Sequence, residues 1–232
     1  MTDPARQTGA VSSAVATGDP LEADPRLPVF FGDAWSAVSH YADLLREHGV
    51  TRGLLGPNEP TRLWERHLLN SAAGSALLPR SGTLVDLGSG GGLPGIVLAA
   101  MRPEAHVVLL EPMERRTDWL RFVVGELSLA NTEVVRGRAE DVAGRLVADA
   151  VTARAVSSLD KLFRWAAPLV RADGELFALK GSRAAEEVTA AAGAAKKCGW
   201  SGVRVVEATT IDGVEPTRVV RAVRVERGAR VR

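Results

Sequence analysis

The sequence predicts an α/β fold in which seven strands form a mostly parallel sheet, helices cover both faces, and an antiparallel hairpin ends the chain. Three observations carry this expectation. From Gly82 onward, short apolar runs alternate with helical patterns, the order that builds parallel strands joined by crossover helices. The first run, Leu84-Val85-Asp86-Leu87, passes straight into Gly88-Ser89-Gly90-Gly91-Gly92-Leu93-Pro94-Gly95, a glycine turn that leads into a helix. The last two runs, Val203–Glu207 and Arg218–Val225, follow one another with no helix between them and should pair as a hairpin.

Taken in order, residues 1–28 are rich in Ala, Thr, Ser, Gly and Pro and offer little to bury, which predicts a disordered tail. Residues 29–80 are expected to form an N-terminal helical layer. Phe31, Trp35, Val38, Ala42 and Leu45 recur at helical spacing, and Gly49 marks the stop. His40 and His48 lie on this helix without a neighbouring ligand, so they are expected at or near the surface and not on a metal. Asn58-Glu59-Pro60 opens a second helix, expected from Thr61 to Leu78, with Leu63, Trp64, Leu68 and Ala72 on one side. Residues 81–228 form the sheet domain. Its parallel strands are expected at Thr83–Leu87, His106–Leu110, Thr132–Arg136, Ala150–Ala153 and Glu175–Leu179. Helices should start at Pro94 and Arg183 and surround Leu159, Leu162, Phe163 and Ala166. The helix after Glu111 should bury Trp119, Phe122, Val123 and Leu127.

Composition narrows the class. At 232 residues the chain can bury a substantial core, and 46% apolar with 25% charged residues is ordinary for a soluble globular protein. A net charge of +1 means that any nucleic-acid contact must come from a local patch. Cys198 is the one cysteine, which excludes an intramolecular disulfide and a Cys-rich metal site, and no metal is expected. The start lacks a basic-then-apolar signal and no run of about 18 apolar residues occurs, so the cytoplasm is the expected compartment and no membrane contact is expected.

The glycine turn should bring backbone close to a ligand and gather unpaired donors at a helix start. Gly90-x-Gly92-x-x-Gly95 matches the dinucleotide fingerprint, so a nicotinamide-dependent oxidoreductase is one reading. Two features favour S-adenosylmethionine instead. Asp86 places negative charge beside the turn, which repels a pyrophosphate and suits a sulfonium and an ammonium. The terminal hairpin is the arrangement of S-adenosylmethionine-dependent methyltransferases, not of an all-parallel dinucleotide fold. Ligands of open parallel sheets bind at the strands' carboxyl ends. Those ends collect Gly88, Ser89 and Gly90, then Glu111, Arg138-Ala139-Glu140, Arg154 and Lys180-Gly181. Glu111, roughly 20 residues past the glycines, is placed to accept both ribose hydroxyls. Glu140 can accept from an adenine amino group while the Ala139 or Glu140 backbone meets the ring edge. Arg154 and Lys180 end adjacent strands and suit phosphate contact, in a patch that Arg115, Arg116 and the Arg227–Arg232 run would widen. The Asn/Asp-Pro-Pro-aromatic signature of exocyclic amine methylation is missing, since the segment after the fourth strand reads Thr152-Ala153-Arg154-Ala155-Val156-Ser157. Cys198 lies far from the strand ends, so pyrimidine C5 chemistry lacks its nucleophile. Guanine N7 needs neither device: it has a lone pair and no proton to lose, so alignment suffices and no catalytic residue is assigned.

Four segments resemble the small-subunit ribosomal RNA methyltransferase G family. They are Arg66-His67-Leu68-Leu69-Asn70-Ser71, Val85 to Gly95, Leu109-Leu110-Glu111-Pro112 with Arg115-Arg116, and Arg154-Ala155-Val156 with Leu179-Lys180-Gly181. The resemblance covers about residues 30–226 and is close to actinobacterial forms. It implies a Rossmann-like class I S-adenosylmethionine-dependent methyltransferase fold. It also implies methylation of guanine N7 in 16S rRNA, at position 527 of the usual rRNA numbering. It places cofactor contacts on Gly88, Leu93, Ala139, Glu140 and Arg154, which puts the cofactor role of Arg154 ahead of phosphate contact, with both roles open to an arginine that bridges cofactor and substrate. Arg66, His67, Arg115, Arg116 and Lys180 are then the expected RNA contacts of a monomer acting on 16S rRNA or the small ribosomal subunit. Asn70 and Glu111 depart from the family, where Asp is frequent at both positions. A non-catalytic RNA- or ribosome-binding protein is the remaining alternative.

Overall fold

A computed structural model describes residues 18–225. One seven-stranded sheet has the order β3-β2-β1-β4-β5-β7-β6. The strands are β1 Gly82–Leu87, β2 Ala105–Glu111, β3 Thr132–Arg136, β4 Ala148–Arg154, β5 Val170–Lys180, β6 Trp200–Ala208 and β7 Thr217–Arg224. β1 to β5 run parallel, and β7 lies antiparallel between β5 and β6, so the expected hairpin is present with its second strand inserted inward. β1 pairs with β2 on one side and β4 on the other. At this reversal of strand order the connections leave to opposite faces, and a crevice opens at the carboxyl ends.

Alternate side chains of each strand point to opposite faces, which divides the core in two. Leu84, Val107, Leu109 and Phe177 join one cluster, covered by the N-terminal layer with α4 Gly95–Met101 and α5 Glu114–Glu126. Val85, Val108, Leu110 and Val151 join the other, covered by α6 Ala139–Val142, α7 Leu159–Ala166 and α8 Ala184–Cys198. Central strands buried on both faces explain why β1, β2 and β4 read as continuous apolar runs.

The N-terminal layer departs from expectation in two ways. The tail expected over residues 1–28 gives way to packed structure before its end. α1 is Arg26–Phe31, Leu27 is fully buried, and the buried Asp19 carboxylate accepts the Trp64 N–H at 2.7 Å. The first 17 residues of that expectation, and the Arg227–Arg232 run, lie outside the described residues. α2 is Trp35–His48, as its periodicity indicates. The second helix is not one α-helix. It runs as a 3-10 turn Glu59–Arg62, a π-helical turn Trp64–Leu69, α3 Asn70–Ala73 and a further 3-10 turn Gly74–Leu77. The apolar side is kept, with Leu63, Trp64, Leu68 and Ala72 buried. Pro60 lacks an N–H, which suits the tight opening turn. In the π-helical turn the Arg66 carbonyl receives a side-chain donor from β4.

Two smaller differences lie near the glycine turn. α4 begins at Gly95, with Pro94 at its cap and not in its first turn. Phe122, expected in the core, is 38% exposed. Its ring meets His48 edge-on and Arg52 from above, so polar groups of the N-terminal layer cover it in place of apolar ones.

Candidate functional site

The glycine turn is knitted to the end of β2. The Gly88 and Ser89 N–H groups both donate to the Leu110 carbonyl, at 2.8 and 3.2 Å. Gly90 N–H donates to the Glu111 carboxylate at 2.9 Å, Gly92 N–H to the Ser89 carbonyl at 2.7 Å, and Gly95 N–H to Asp86 at 3.0 Å. The expectation of unpaired donors is therefore corrected for these five groups, which have partners within the protein. That arrangement offers little to a pyrophosphate, which needs free N–H groups. Gly88 sits at φ +73°, and a Cβ there would lie 2.9 Å from Val156 Cγ2, so the turn packs directly against the loop after β4. A Cβ at Gly90 would touch only the Gly88 carbonyl oxygen, at 3.9 Å. Space is thus left beside the turn on its ligand-facing side.

Two carboxylates support this turn in different ways. Asp86 ends 1% exposed, with one oxygen on Gly95 N–H and the other buried without a partner among the described residues. Burial pushes it up to about 7, against the pull of the Gly95 N–H and the Arg154 charge, while the Ser89 hydroxyl donates to the Asp86 backbone carbonyl at 2.9 Å. Its charge is therefore not displayed in the open, as its place in the sequence suggested, but held beneath the turn. Glu111, at the end of β2, is 2% exposed. One oxygen accepts from Gly90 and the other from the Met113 N–H at 3.0 Å, with an Arg116 guanidinium nitrogen 3.9 Å away. Each oxygen keeps a lone pair beyond these bonds.

The Gly91 carbonyl is clamped by two side chains, of which the sequence pattern marks only Trp119, and that as core. The Tyr41 hydroxyl of α2 donates to it at 2.7 Å and the Trp119 indole of α5 at 2.8 Å. The N-terminal layer is thereby tied to the cofactor-type turn. Burial raises the Tyr41 phenol, which stays a donor. Tyr41→Phe should cost about 1 to 2 kcal/mol, since the carbonyl keeps Trp119 but loses one buried partner. Urea unfolding should show a lower midpoint at unchanged slope. A loss below about 0.3 kcal/mol would show that the hydroxyl does not hold the turn.

A cleft of about 640 Å³ opens between the N-terminal layer, the ends of β4 and β5, and the β6–β7 connection. Arg154 reaches across its inner end. It donates to the Arg66 carbonyl at 3.0 Å and to His67 Nδ1 at 3.0 Å, with Asn70 Oδ1 at 3.5 Å. Burial lowers the Arg154 pKa, while Tyr41, Asp86 and Glu59 oppose that shift. Arginine only donates, so His67 Nδ1 is the acceptor, and Nε2–H is left to donate to Glu59. Burial and then the Arg154 charge hold His67 below the ordinary imidazole range, against the pull of Glu59. Burial alone would raise Glu59, but the His67 hydrogen bond and the Arg66 and Arg62 charges bring it below the usual carboxylate range. Asn70 uses both ends of its amide, donating to Thr217 Oγ1 at 2.9 Å. An aspartate there would need Thr217 to turn donor.

The structure gathers Arg66, His67, Arg154 and Lys180 around this cleft. Lys180 is only 11% exposed at its side chain and donates to the Ser157 carbonyl at 2.9 Å and to Glu187 at 2.7 Å. It braces the loop after β4 against α8 and is not a free cation. Arg115 is exposed at the start of α5 and Arg116 turns toward Glu111, so these two belong to the β2 side, apart from the cleft. Ser89 and Leu93 are buried within the glycine turn. Ala139 is buried at the start of α6, with Glu140 exposed beside it at the end of β3. Glu59, Tyr41, Trp119 and Thr217 are the site residues that sequence reasoning missed.

The family model described as rRNA small subunit methyltransferase G matches residues 35–214. A Thermobifida fusca protein named ribosomal RNA small subunit methyltransferase G is 54% identical over 158 residues, 68% of this chain and 67% of that protein. A Nocardioides protein of the same name is 44% identical over 212 residues, 89% of this chain and 85% of its own length. Among solved structures, an S-adenosylmethionine-dependent O-methyltransferase from Thermotoga maritima aligns with TM-score 0.57 at 13% identity, over 74% of this chain and 72% of that one. A mitomycin 7-O-methyltransferase aligns with TM-score 0.58 at 18% identity, over 83% and 68%. At such low identity these two likenesses speak for the fold, which is that of class I methyltransferases with its antiparallel terminal hairpin. The family match spans the glycine turn, the Glu111 end of β2 and Arg154 together, and the chain belongs to the rRNA small subunit methyltransferase G family.

Proposed function

We propose that the protein methylates N7 of a guanine in 16S rRNA, using S-adenosylmethionine. The observation that carries this reading is the glycine turn, where the Gly88, Ser89, Gly90, Gly92 and Gly95 N–H groups are taken by Glu111, Asp86 and backbone carbonyls. Such a turn suits a cationic nucleoside and not a pyrophosphate, and this supports S-adenosylmethionine over a nicotinamide dinucleotide. The residues present fit that cofactor. A Cβ at Gly90 would meet no neighbour closer than 3.9 Å, a buried Asp86 oxygen lacks a partner, and Glu111 stands at the end of the adjacent strand. Gly88 to Gly90 and Leu93 would bound it, Glu111 would accept ribose hydroxyls, Ala139 and Glu140 would meet the adenine, and Arg154 the amino-acid end.

When bound, S-adenosylmethionine supplies an electrophilic methyl on a sulfonium. The chain's part is alignment. The cleft beside Arg154 admits the nucleotide, and enzymes acting on a base take it out of its stack into such a pocket. Guanine N7 brings its own electron pair and releases no proton, so no general base is required. Arg66 and the exposed Arg115 would contact phosphate, while Lys180 would support the cleft from within. The same reading takes the acting form as a cytoplasmic monomer. Among the described residues no helix is long and apolar enough to cross a membrane.

Purified protein should transfer label from methyl-labelled S-adenosylmethionine to small ribosomal subunits lacking the modification. Mass spectrometry should then place the label on one guanine N7. Cofactor binding without transfer to any ribosomal RNA would favour a non-catalytic RNA-binding protein, and binding of reduced nicotinamide in its place would overturn the cofactor assignment.

A further inference from the structure

Arg154 stands between two sites. On the cleft side its guanidinium meets the Arg66 carbonyl, Asn70 and His67. On the other side its charge acts on Asp86, which supports the glycine turn, and on Tyr41, which clamps it. Its backbone is fixed as well. Ala155, the next residue, sits at φ +55°, a conformation that costs an L-residue about 1 kcal/mol or more and persists only when the surroundings impose it. Val156 then packs on Gly88. Yet the arginine side chain has many rotamers, so its acceptors decide where the charge lies. The Arg66 carbonyl belongs to a rigid turn, and Asn70 is at the 3.5 Å limit. His67 is the side-chain acceptor at full hydrogen-bond distance, and it accepts only through an unprotonated Nδ1. Glu59 secures that tautomer by taking Nε2–H.

We propose that His67 is a positioning residue: the Glu59–His67 pair sets the Arg154 guanidinium between the glycine turn and the cleft, where it receives the carboxylate of S-adenosylmethionine beside the RNA substrate. The proposal rests on the S-adenosylmethionine reading above. It reassigns His67 from RNA contact to control of the cofactor site. A planar fork aimed at a carboxylate gains from fixed orientation, because bidentate recognition tolerates little rotation.

Two substitutions separate this role from simple packing. Asparagine places Oδ1 where Nδ1 stands and keeps the acceptor for Arg154. Glutamine places Nε2 where the ring nitrogen Nε2 stands, keeping the donor to Glu59 and losing the acceptor. Calorimetry with S-adenosylmethionine should show a dissociation constant raised about tenfold in His67→Gln and within about threefold of wild type in His67→Asn. In wild type the affinity should also fall on acidification, at a pH below the ordinary imidazole range, because an imidazolium cannot accept and faces Arg154 with like charge. The groups facing His67 are Arg154 from β4, Glu59 from the opening 3-10 turn and Arg66 from its own turn. Asp86 titrates in wild type and variants alike, so the ratio of wild-type to His67→Asn affinity isolates His67. Equal loss in both variants, or loss in neither, overturns the proposal. If either variant fails to fold, the 15N shifts of wild-type His67 at pH 7.5 decide: protonated Nε2 with bare Nδ1 supports it, and any other state overturns it. Failure of wild type to bind S-adenosylmethionine at all overturns the functional reading and the proposal with it.

Discussion

Glu111→Ala should raise the dissociation constant for S-adenosylmethionine by about two orders of magnitude. Two effects act in the same direction. The carboxylate is the acceptor proposed for the ribose hydroxyls, and a charge-assisted hydrogen bond is worth about 1.5 to 3 kcal/mol. It also holds the Gly90 N–H at 2.9 Å and the Met113 N–H at 3.0 Å, so its loss leaves two inward-facing donors and loosens the turn itself. Glu111→Gln divides these contributions. The amide keeps the size and one acceptor oxygen, but its NH2 group meets one of the two N–H donors, so an intermediate loss of about tenfold is expected. Calorimetry on folded variants, checked by circular dichroism, tests both. Affinity of Glu111→Ala within threefold of wild type would remove the ribose assignment and leave Glu111 a purely structural anchor.

Glu111 also shows what was legible in the sequence. The glycine turn, the apolar runs and the acid that follows at nucleotide spacing are local patterns, and each strand is placed by its own residues. The terminal hairpin was legible for the same reason, as two strands without a crossover. What stayed hidden depends on contacts between elements. Tyr41 reaches Gly91 across 50 positions, and Asn70 meets Thr217 across 147. Tyr41 lies on the expected first helix but outside the apolar stripe read from it, and only the packed layer shows that it meets a carbonyl. The segment from Glu59 to Leu77 has the apolar rhythm of one helix, and that rhythm survives. Its hydrogen-bond ladder changes, and within the π-helical turn the Arg66 carbonyl receives a donor from Arg154 of β4. Phe122 failed in a related way: its position in the stripe was right, but Arg52 and His48 cover it in place of the core. Lys180 was placed at its strand end by sequence, whereas its partner Glu187 lies on the next helix, and that pairing takes the cation out of the surface patch.

Asp86→Asn should stabilise the fold above neutral pH and weaken cofactor binding together. The carboxyl group titrates near 3.8 when unfolded and is pushed up to about 7 in the folded protein, chiefly by burial. The folded state therefore holds this proton more tightly. The associated stability is fully present below about pH 3.8 and is lost as pH rises through about 7. By linkage the whole shift corresponds to something on the order of 4 kcal/mol, more than half of which falls between pH 5 and 8. An asparagine carbonyl can still accept the Gly95 N–H, and the side chain never ionises. The stability difference between variant and wild type, from urea unfolding, should thus grow by roughly 2 to 3 kcal/mol from pH 5 to pH 8. A difference constant within about 0.5 kcal/mol would show that Asp86 does not titrate in this range. A group that costs stability at working pH points to a gain elsewhere, and a sulfonium and an ammonium beside the turn would supply it by favouring the ionised form. The variant that folds more tightly at pH 8 should then bind S-adenosylmethionine more weakly. If its affinity is unchanged, the buried charge has no part in cofactor recognition, and Asp86 serves only to hold the start of α4.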